Sequence, residues 1–442
     1  MTATGVTERP PHRHVTTAQP PTGRSAHGSS LRRTTLEVCR GYLAAFLYTP
    51  LRVVSHFVPK KPDLWVFGGC RGEDYADNAR HFFQWMALHH PGVRCVWVTH
   101  DADVLAKLQE RGLDVASTFS WESTKIHMRA SVAVTSHGST RDLHRFVLGG
   151  GTTVVQVGRG TPLARTGRDL HAGPIHAGPV RRFASWCRGM LDHLLPSETD
   201  RFDLLTVAST HAIPNALSAY GTTRDRIAVT GLARTDLMVQ RQLRVRLGPR
   251  RVLYMPGGLA TSFTHSSFDA LANLEPSVAD KKLEACDAEL FVPLGDGHVP
   301  SSDSLRRLSM CERVHLFECG DLHHHLDGFD VFATDGSNTF CDYLLLDRPI
   351  IFFRREELDA VADRERWLYY DWDWLCCGPL VRTWDDFFDA IASALETPED
   401  HEADRTRTRR LFHDHVDAEN CRRIHTAILE FRGDRASESA AE

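Results

Sequence analysis

Short apolar runs alternate with amphipathic stretches from residue 63 almost to the end of the chain, and this alternation limits the fold more than any other feature. The runs have the length and the Val, Ile and Phe content of strands that are buried on both faces. Strands that alternate with helices in this way predict parallel sheets whose two faces are covered by helices.

The predicted strands fall into two series, with a boundary near residues 240–250. The first series contains Leu64–Phe67, Val93–Val98, Val115–Thr118, Val132–Thr135, Thr152–Val157, Leu204–Val207 and Ile227–Thr230. The second series contains Val252–Tyr254, Leu290–Pro293, Val314–Phe317, Val331–Thr334 and Pro349–Phe353. Two long helices are predicted at the end, over Trp384–Glu396 and Asp404–Phe431. We therefore predict an α/β fold of two Rossmann-like lobes whose parallel sheets face a central crevice.

The ends of the chain differ from this core. Residues 1–31 lack an apolar segment, which predicts a disordered tail without a signal peptide. Residues 32–61 hold an apolar stretch that Arg40, Pro50, Arg52 and His56 interrupt, so it is too broken to span a bilayer. Its basic flanks favour an amphipathic helix on an anionic membrane surface, and a helix packed on the globular body is the alternative. The lobes are predicted at 62–245 and 246–435, with a frayed tail at 436–442.

Composition excludes several classes of function. The formal net charge is -5, so no overall positive field points to nucleic acid. The 11 cysteines show no CxxC spacing, which argues against a structural zinc site. Three consecutive histidines, His323–His325, point to different sides of a helix and so do not converge on one metal ion. We assign them to a surface helix and expect neither a bound metal nor a cofactor.

The segment after the predicted strand Val331–Thr334 combines a turn, hydroxyl groups and a helix start. Its backbone N–H groups and the positive end of the helix dipole favour a phosphate. The side chains of Ser337, Asn338 and Thr339 add hydrogen-bond donors. The turn therefore predicts a phosphate or pyrophosphate site, and a capped helix without a ligand is the alternative.

The same turn, extended to Asp342, resembles the Thr-Asp-Tyr-Ser-Ser…Phe-Asp-Tyr motif of the CDP-glycerol glycerophosphotransferase family, which includes the teichoic acid glycerol-phosphate polymerases and primases. Further similar segments occur in the family's order between residues 63 and 395. They are Gly72–Arg80, Val96–Thr99, Gly231–Leu237, Arg348–Phe352, Arg366–Asp371 and Gly378–Thr383.

The resemblance implies a GT-B-like transferase that moves glycerol phosphate from CDP-glycerol to the hydroxyl end of a lipid-linked polymer and releases CMP. It implies a peripheral protein on the cytoplasmic face of the membrane, with the acceptor on the first lobe and CDP-glycerol on the second. No cofactor is implied, and helix N-termini with Arg and His side chains would stabilise the phosphate charge. The oligomeric state is not predicted.

The resemblance also supplies candidate site residues. The donor or phosphate site would comprise Gly160, Thr161, Gly231, Arg234, Asp236, Asp335, Ser337, Asn338, Thr339, Asp342 and Arg366. The catalytic candidates are His298, Arg159 and Asp77. For Asp77 we keep the alternative that it caps the helix that follows it.

This chain departs from the family at its most diagnostic motif, Trp-His-Gly-Thr-Pro-Leu-Lys. The aligned residues are Gly158–Ala164, with Arg159 in place of the histidine and Ala164 in place of the lysine. Arginine stays protonated, so Arg159 can bind phosphate but cannot act as a base near neutral pH. A second family motif, Lys-Leu-His-Pro, aligns with Phe291–His298, where Gly295 replaces the histidine, and a short shift of this alignment would let His298 serve as the base.

These departures leave several hypotheses open. The chain is either an active transferase, with CDP-glycerol or another CDP-alcohol as donor, or a catalytically weakened member that binds nucleotide or polymer. A third hypothesis is a membrane-bound scaffold in wall-polymer assembly, because a family fold can lose its original chemistry.

Overall fold

The computed structural model describes residues 50–51, 53–148, 150–171, 202–241, 248–256, 273–294, 302–318, 321–353 and 368–441. Within these residues the chain forms two sheets in which every strand pair is parallel, as the alternating pattern predicts.

The first sheet has seven strands in the order β3-β2-β1-β4-β5-β6-β7. They are β1 (Lys61–Gly68), β2 (Arg94–Thr99), β3 (Val115–Ser117), β4 (Ala130–Thr135), β5 (Thr153–Gln156), β6 (Leu204–Val207) and β7 (Ile227–Val229). The helices of this part are α1 (Asp77–His89), α2 (Ala102–Glu110), α3 (Trp121–Arg129), α4 (Ser139–Asp142), α5 (Ile213–Tyr220) and α6 (Thr235–Arg241). The strand order reverses between β1 and β4, and such a reversal opens a crevice at the carboxyl ends of the strands.

The second sheet has six strands in the order β10-β9-β8-β11-β12-β13. They are β8 (Arg250–Met255), β9 (Ala288–Leu294), β10 (Val314–Glu318), β11 (Val331–Thr334), β12 (Ile350–Phe353) and β13 (Leu380–Val381). The helices are α7 (Pro276–Ala285), α8 (Ser302–Leu308), α9 (Thr339–Tyr343), α10 (Trp372–Leu375), α11 (Trp384–Glu396), α12 (Glu402–Phe412) and α13 (Asn420–Ala441). The sequence did not predict β13, because two residues are too few to show a period.

The first sheet is buried on both faces. Along β1, Trp65 and Phe67 pack in one apolar cluster, whereas Leu64 and Val66 pack in another on the opposite face. Successive side chains of a strand point to opposite faces, so a strand covered on both faces is apolar throughout. This explains why the first series appears as continuous apolar runs.

The end of the chain differs from the prediction in two ways. The single helix predicted over Asp404–Phe431 is two helices, because α12 ends at Phe412 and the Asp414 carboxylate accepts hydrogen bonds from Thr210 near β6. In addition, Ile424 and Ile428 of α13 pack in the core of the first sheet. The assignment of all of 246–435 to the second lobe is therefore wrong for α13, which returns to the first lobe.

The predicted interfacial segment 32–61 lies largely outside the described residues. Its described part is helical at residues 50–51 and 53–57, with the side chains of Val53 and Phe57 54% and 82% exposed. None of the helices that the structure describes is long and apolar enough to cross a membrane.

Candidate functional site

The two lobes meet where the loop after β5 faces the turn after β11. The Asn338 side-chain amide donates to the Thr161 carbonyl over 3.4 Å. Beside this contact, the backbone N–H of Tyr369 donates to the Leu163 carbonyl over 2.9 Å. Thr161 and Asn338, which the sequence places 177 residues apart, therefore lie together at the carboxyl ends of both sheets.

The turn after β11 satisfies much of its own hydrogen-bonding capacity. The Thr334 hydroxyl accepts from the backbone N–H groups of Gly336 and Ser337, at 3.1 and 2.8 Å. The Ser337 hydroxyl accepts from the Thr339 N–H at 3.3 Å and donates to the Thr339 hydroxyl at 3.0 Å. The predicted phosphate cradle thus has fewer donors available than the sequence suggested.

Two further side chains of this region, Thr161 and Asp335, are buried. The Thr161 hydroxyl is buried and has no hydrogen-bond partner among the described residues. Asp335 is also buried in the turn. A buried hydroxyl without a partner costs free energy, so Thr161 is the predicted site residue best placed to donate to a ligand.

Arg234 lies at the centre of the contact between the lobes. Its side chain is 3% exposed and forms ion pairs with Asp342 at 2.6 Å and with Asp77 at 2.8 Å. Its guanidinium also donates to the Arg159 carbonyl over 2.8 Å. Burial opposes the charge, but Asp342 and Asp77 outweigh it and raise the pKa of Arg234. Protein groups already surround the Arg234 guanidinium in this arrangement, and its role as a phosphate clamp stays a prediction.

Three further predicted site residues lie against this buried arginine. Asp342 and Asp77 are its carboxylate partners, and their predicted roles at the phosphate and as a base stay predictions. Gly160 has a φ of 112°, and a Cβ at this position would collide with the Arg234 guanidinium. A glycine at this position therefore permits the close approach of Arg234.

The ion-pair network continues from Asp342 through a histidine of the second lobe. His323 lies 3.2 Å from Asp342 and 3.6 Å from Asp321. Asp321 in turn contacts Arg80 at 3.1 Å and His81 at 3.3 Å on α1. The surface helix predicted for His323–His325 is wrong, since Leu322–His324 is a 3-10 turn at the lobe interface.

Charge coupling in this network favours the ionised forms. Burial and the Arg234 charge lower the pKa of His323, but its interactions with Asp321 and Asp342 outweigh them and raise it. Burial raises the pKa of Asp321, but hydrogen bonds from His323 and His81 lower it well below its usual range. His323 and its two carboxylates belong to the second lobe, and Asp321 extends this charged network to Arg80 and His81 of the first lobe.

Gly231 and Asp236 have structural roles that the sequence did not reveal. The Asp236 carboxylate accepts from the backbone N–H groups of Asn420 and Cys421, at 3.0 and 2.8 Å, so it caps α13. Gly231 has a φ of 81°, and a Cβ there would collide with the Asn420 side chain. Both residues hold the returning helix, and their assignment to phosphate binding stays a prediction.

Comparison with known proteins agrees with this architecture. Residues 51–430 match the family model described as CDP-Glycerol:Poly(glycerophosphate) glycerophosphotransferase. The chain belongs to this family. It is 22% identical over 374 residues to the teichoic acid glycerol-phosphate transferase of Staphylococcus aureus, covering 81% of this chain and 90% of that protein.

Two further relatives extend the comparison. The teichoic acid poly(glycerol phosphate) polymerase of Bacillus subtilis is 21% identical over 370 residues, which cover 80% of this chain but only 46% of that protein. A structure of the wall teichoic acid polymerase TagF soaked with CDPG superposes with a TM-score of 0.67 at 18% identity, covering 92% of this chain and 98% of that one. This structural likeness shows a shared fold.

Arg159 is the residue that the sequence analysis aligned with the histidine of the glycerophosphotransferase motif. The Arg159 side chain is exposed, and its backbone carbonyl is held by Arg234. His298 and Arg366 lie outside the described residues, so their predicted roles stay predictions.

One histidine of the crevice escaped the sequence analysis. His137 is the second residue after β4 and lies beside the reversal of strand order. Its Nδ1 accepts from the backbone N–H of Cys70, after β1, over 3.2 Å. The available signal was a histidine two residues after a predicted strand. The position of His137 in the crevice depends on the pairing of β4 with β1, which the sequence does not show.

Proposed function

We propose that this chain transfers glycerol phosphate from CDP-glycerol to the hydroxyl end of a lipid-linked, teichoic-acid-like polymer. Family membership over residues 51–430 carries the proposal. It is supported by the crevice at the carboxyl ends of both parallel sheets, where Thr161 and Asn338 meet.

The reaction is a displacement at phosphorus. The acceptor hydroxyl oxygen attacks the β-phosphorus of CDP-glycerol and forms a new O–P bond, while the bond from that phosphorus to the bridging oxygen breaks. CMP leaves with the electron pair, and the acceptor proton passes to a base. Arg159 cannot accept this proton and Asp77 is paired with Arg234, so we propose His298 as the base.

A cleft of about 330 Å³ between the lobes suits a polyanionic acceptor. Its charged lining consists of the cations Arg80, Lys107 and Arg111 and the carboxylates Asp74 and Asp321, with His324 and His325 beside them. Positive clefts attract anionic chains from solution. The exposed Val53 and Phe57 and the nearby Lys60 and Lys61 support peripheral attachment to the cytoplasmic face of a membrane.

A second function is favoured by one observation. Arg159 replaces the motif histidine, and an arginine binds phosphate without acting as a base. A catalytically weakened member would bind nucleotide or polymer, or act as a scaffold in wall-polymer assembly. A different CDP-alcohol donor is a further variant of the transferase.

Release of CMP from CDP-glycerol, with and without a glycerol-phosphate-primed lipid acceptor, tests the proposal. The matched variants are His298→Ala and, as a control, His89→Ala on the exposed end of α1. We expect acceptor-dependent CMP from wild type and from the control, and its loss in His298→Ala. No CMP, together with protection of the protein against heat by CDP-glycerol, would instead support the binding function.

A further inference from the structure

The loops after β1 and β4 are locked together at the reversal of strand order. The buried Asp142 carboxylate accepts from four groups of these loops, namely the Thr135 hydroxyl and the backbone N–H groups of Ser136, His137 and Arg71. A Cβ on Gly68 would collide with the Asp142 carbonyl, so a glycine permits this close approach. His137 is thus held on a fixed backbone in the crevice.

Hydrogen bonding determines which ring nitrogen of His137 carries the proton. The backbone N–H of Cys70 only donates, and it points at Nδ1 over 3.2 Å. The Ser136 hydroxyl lies 3.0 Å from the same nitrogen. Nδ1 is therefore the acceptor, and a neutral ring carries its proton on Nε2. Nε2 has no hydrogen-bond partner among the residues described by the structure.

The ring is neutral under physiological conditions. Burial lowers the pKa of His137 to about 4. Four charged groups surround it: Asp77 favours the protonated ring, whereas Arg159, Arg71 and Arg141 oppose it. His137 thus presents an N–H donor without a net charge, and it is not a base, because Nε2 already carries the proton.

We propose that His137 is a catalytic hydrogen-bond donor whose Nε2–H binds a phosphoryl oxygen of a nucleoside-diphosphate substrate, an inference that rests on the proposed phosphotransfer. A donor held in place before the reaction stabilises charge that develops on phosphoryl oxygens without reorganisation. Arg159, one loop away, supplies the positive charge, and the neutral imidazole supplies a hydrogen bond of fixed orientation.

Two variants separate this role from the alternatives. In His137→Asn the side-chain oxygen takes the place of Nδ1 and keeps the Cys70 hydrogen bond, but nothing replaces Nε2–H. In His137→Gln the amide group reaches the place of Nε2, but the acceptor for Cys70 is lost. We expect His137→Asn to keep the wild-type melting temperature and to lower kcat about 100-fold, the usual effect of losing such a donor. We expect His137→Gln to melt lower and to keep kcat within about tenfold of wild type.

The opposite ranking of the two variants in activity would overturn the inference. If His137 only holds the Cys70 loop, His137→Asn is active and His137→Gln is impaired. If His137 is a general base, both variants lose activity equally.

Failure of the proposed function is recognised separately. If wild type releases no CMP, the affinity for CDP-glycerol and for inorganic pyrophosphate is measured by calorimetry on the same three proteins. About tenfold weaker binding by His137→Asn alone supports the donor role while the transfer reaction is refuted. Equal binding by all three proteins, or no binding by wild type, overturns the inference.

Discussion

At the scale of single residues, the most consequential feature is a buried arginine between two carboxylates that come from different lobes. Arg234 contacts Asp77 from the first lobe and Asp342 from the second. Desolvating three charges is costly, so such a cluster is a weak source of net stability. Removing one member is nevertheless severe, because it leaves the others buried and uncompensated.

We therefore predict that Arg234→Ala lowers the free energy of unfolding by about 3–5 kcal/mol. The control is Arg94→Ala, which removes a half-exposed ion pair with Asp114. That variant should cost less than about 1 kcal/mol, as surface pairs do. Urea denaturation of both variants checks the prediction. Equal losses in the two variants would mean that burial does not amplify the Arg234 pairs.

For individual residues, the sequence predicted which of them lie together at the site better than it predicted what each of them does there. The resemblance named Arg234, Asp342, Asp77 and Gly160, and the structure brings all four together. It assigned Arg234, Asp342 and Gly160 to phosphate and Asp77 to catalysis, because a motif shows which residues are present and not which of them pair. Ion pairing between lobes depends on lobe docking, which no local pattern encodes.

At the scale of elements, the returning helix α13 depends on one carboxylate. Asp236 caps its first two N–H groups from inside the first lobe. We predict that Asp236→Ala lowers the free energy of unfolding by about 1–2 kcal/mol, the upper range for losing an N-cap.

A second cap provides the control for this prediction. Asp101 caps α2 at the surface through the N–H groups of Asp103 and Val104. Asp101→Ala should cost less, about 0.5–1 kcal/mol, because water replaces the lost acceptor. Hydrogen exchange of α13 amides should rise in Asp236→Ala only. Unchanged exchange there would show that the apolar packing of Ile424 and Ile428 holds the helix without its cap.

Strands were easier to predict than the way elements assemble. Leu204–Val207 and Val331–Thr334 agree with the structure to the residue, because buried parallel strands are continuous apolar runs. The break between α12 and α13 was missed, since nothing in the local pattern shows that Asp414 reaches Thr210. The His323–His325 turn was missed although Asp321 caps it locally, because the contacts of His323 with Asp342 and of Asp321 with Arg80 and His81 are tertiary.

At the scale of the whole molecule, the exposed apolar residues before β1 predict attachment to a membrane. Phe57 and Val53 are exposed, and Lys60 and Lys61 follow them. We predict that the double variant V53D/F57D binds phosphatidylglycerol vesicles at least about tenfold more weakly, because each buried apolar side chain contributes about 1.5–3 kcal/mol. The variant Leu88→Asp, at an exposed apolar residue of α1, should bind as wild type does. Equal weakening in both would indicate a non-specific charge effect, which co-sedimentation in high salt would reveal.

The lobes themselves should separate more readily as the pH rises. The folded state raises the pKa of His323 above the ordinary value of 6.5. Stability from a raised pKa is fully present below the unfolded value and is lost as the pH rises through the folded one. We therefore expect the free energy of unfolding to fall as the pH rises above 6.5, by about 1.4 kcal/mol for each unit by which folding raises that pKa.

Two variants attribute this loss to the lobe interface. His323→Gln keeps a hydrogen-bonding side chain without the titrating charge, so its stability should change less over this range. His425→Gln is the control, because burial lowers the pKa of His425 to about 4 and its ring is neutral throughout. It should keep the wild-type pH dependence. If His323→Gln also keeps that dependence, the charge of His323 does not stabilise the network through which Asp321 contacts Arg80 and His81 of the first lobe.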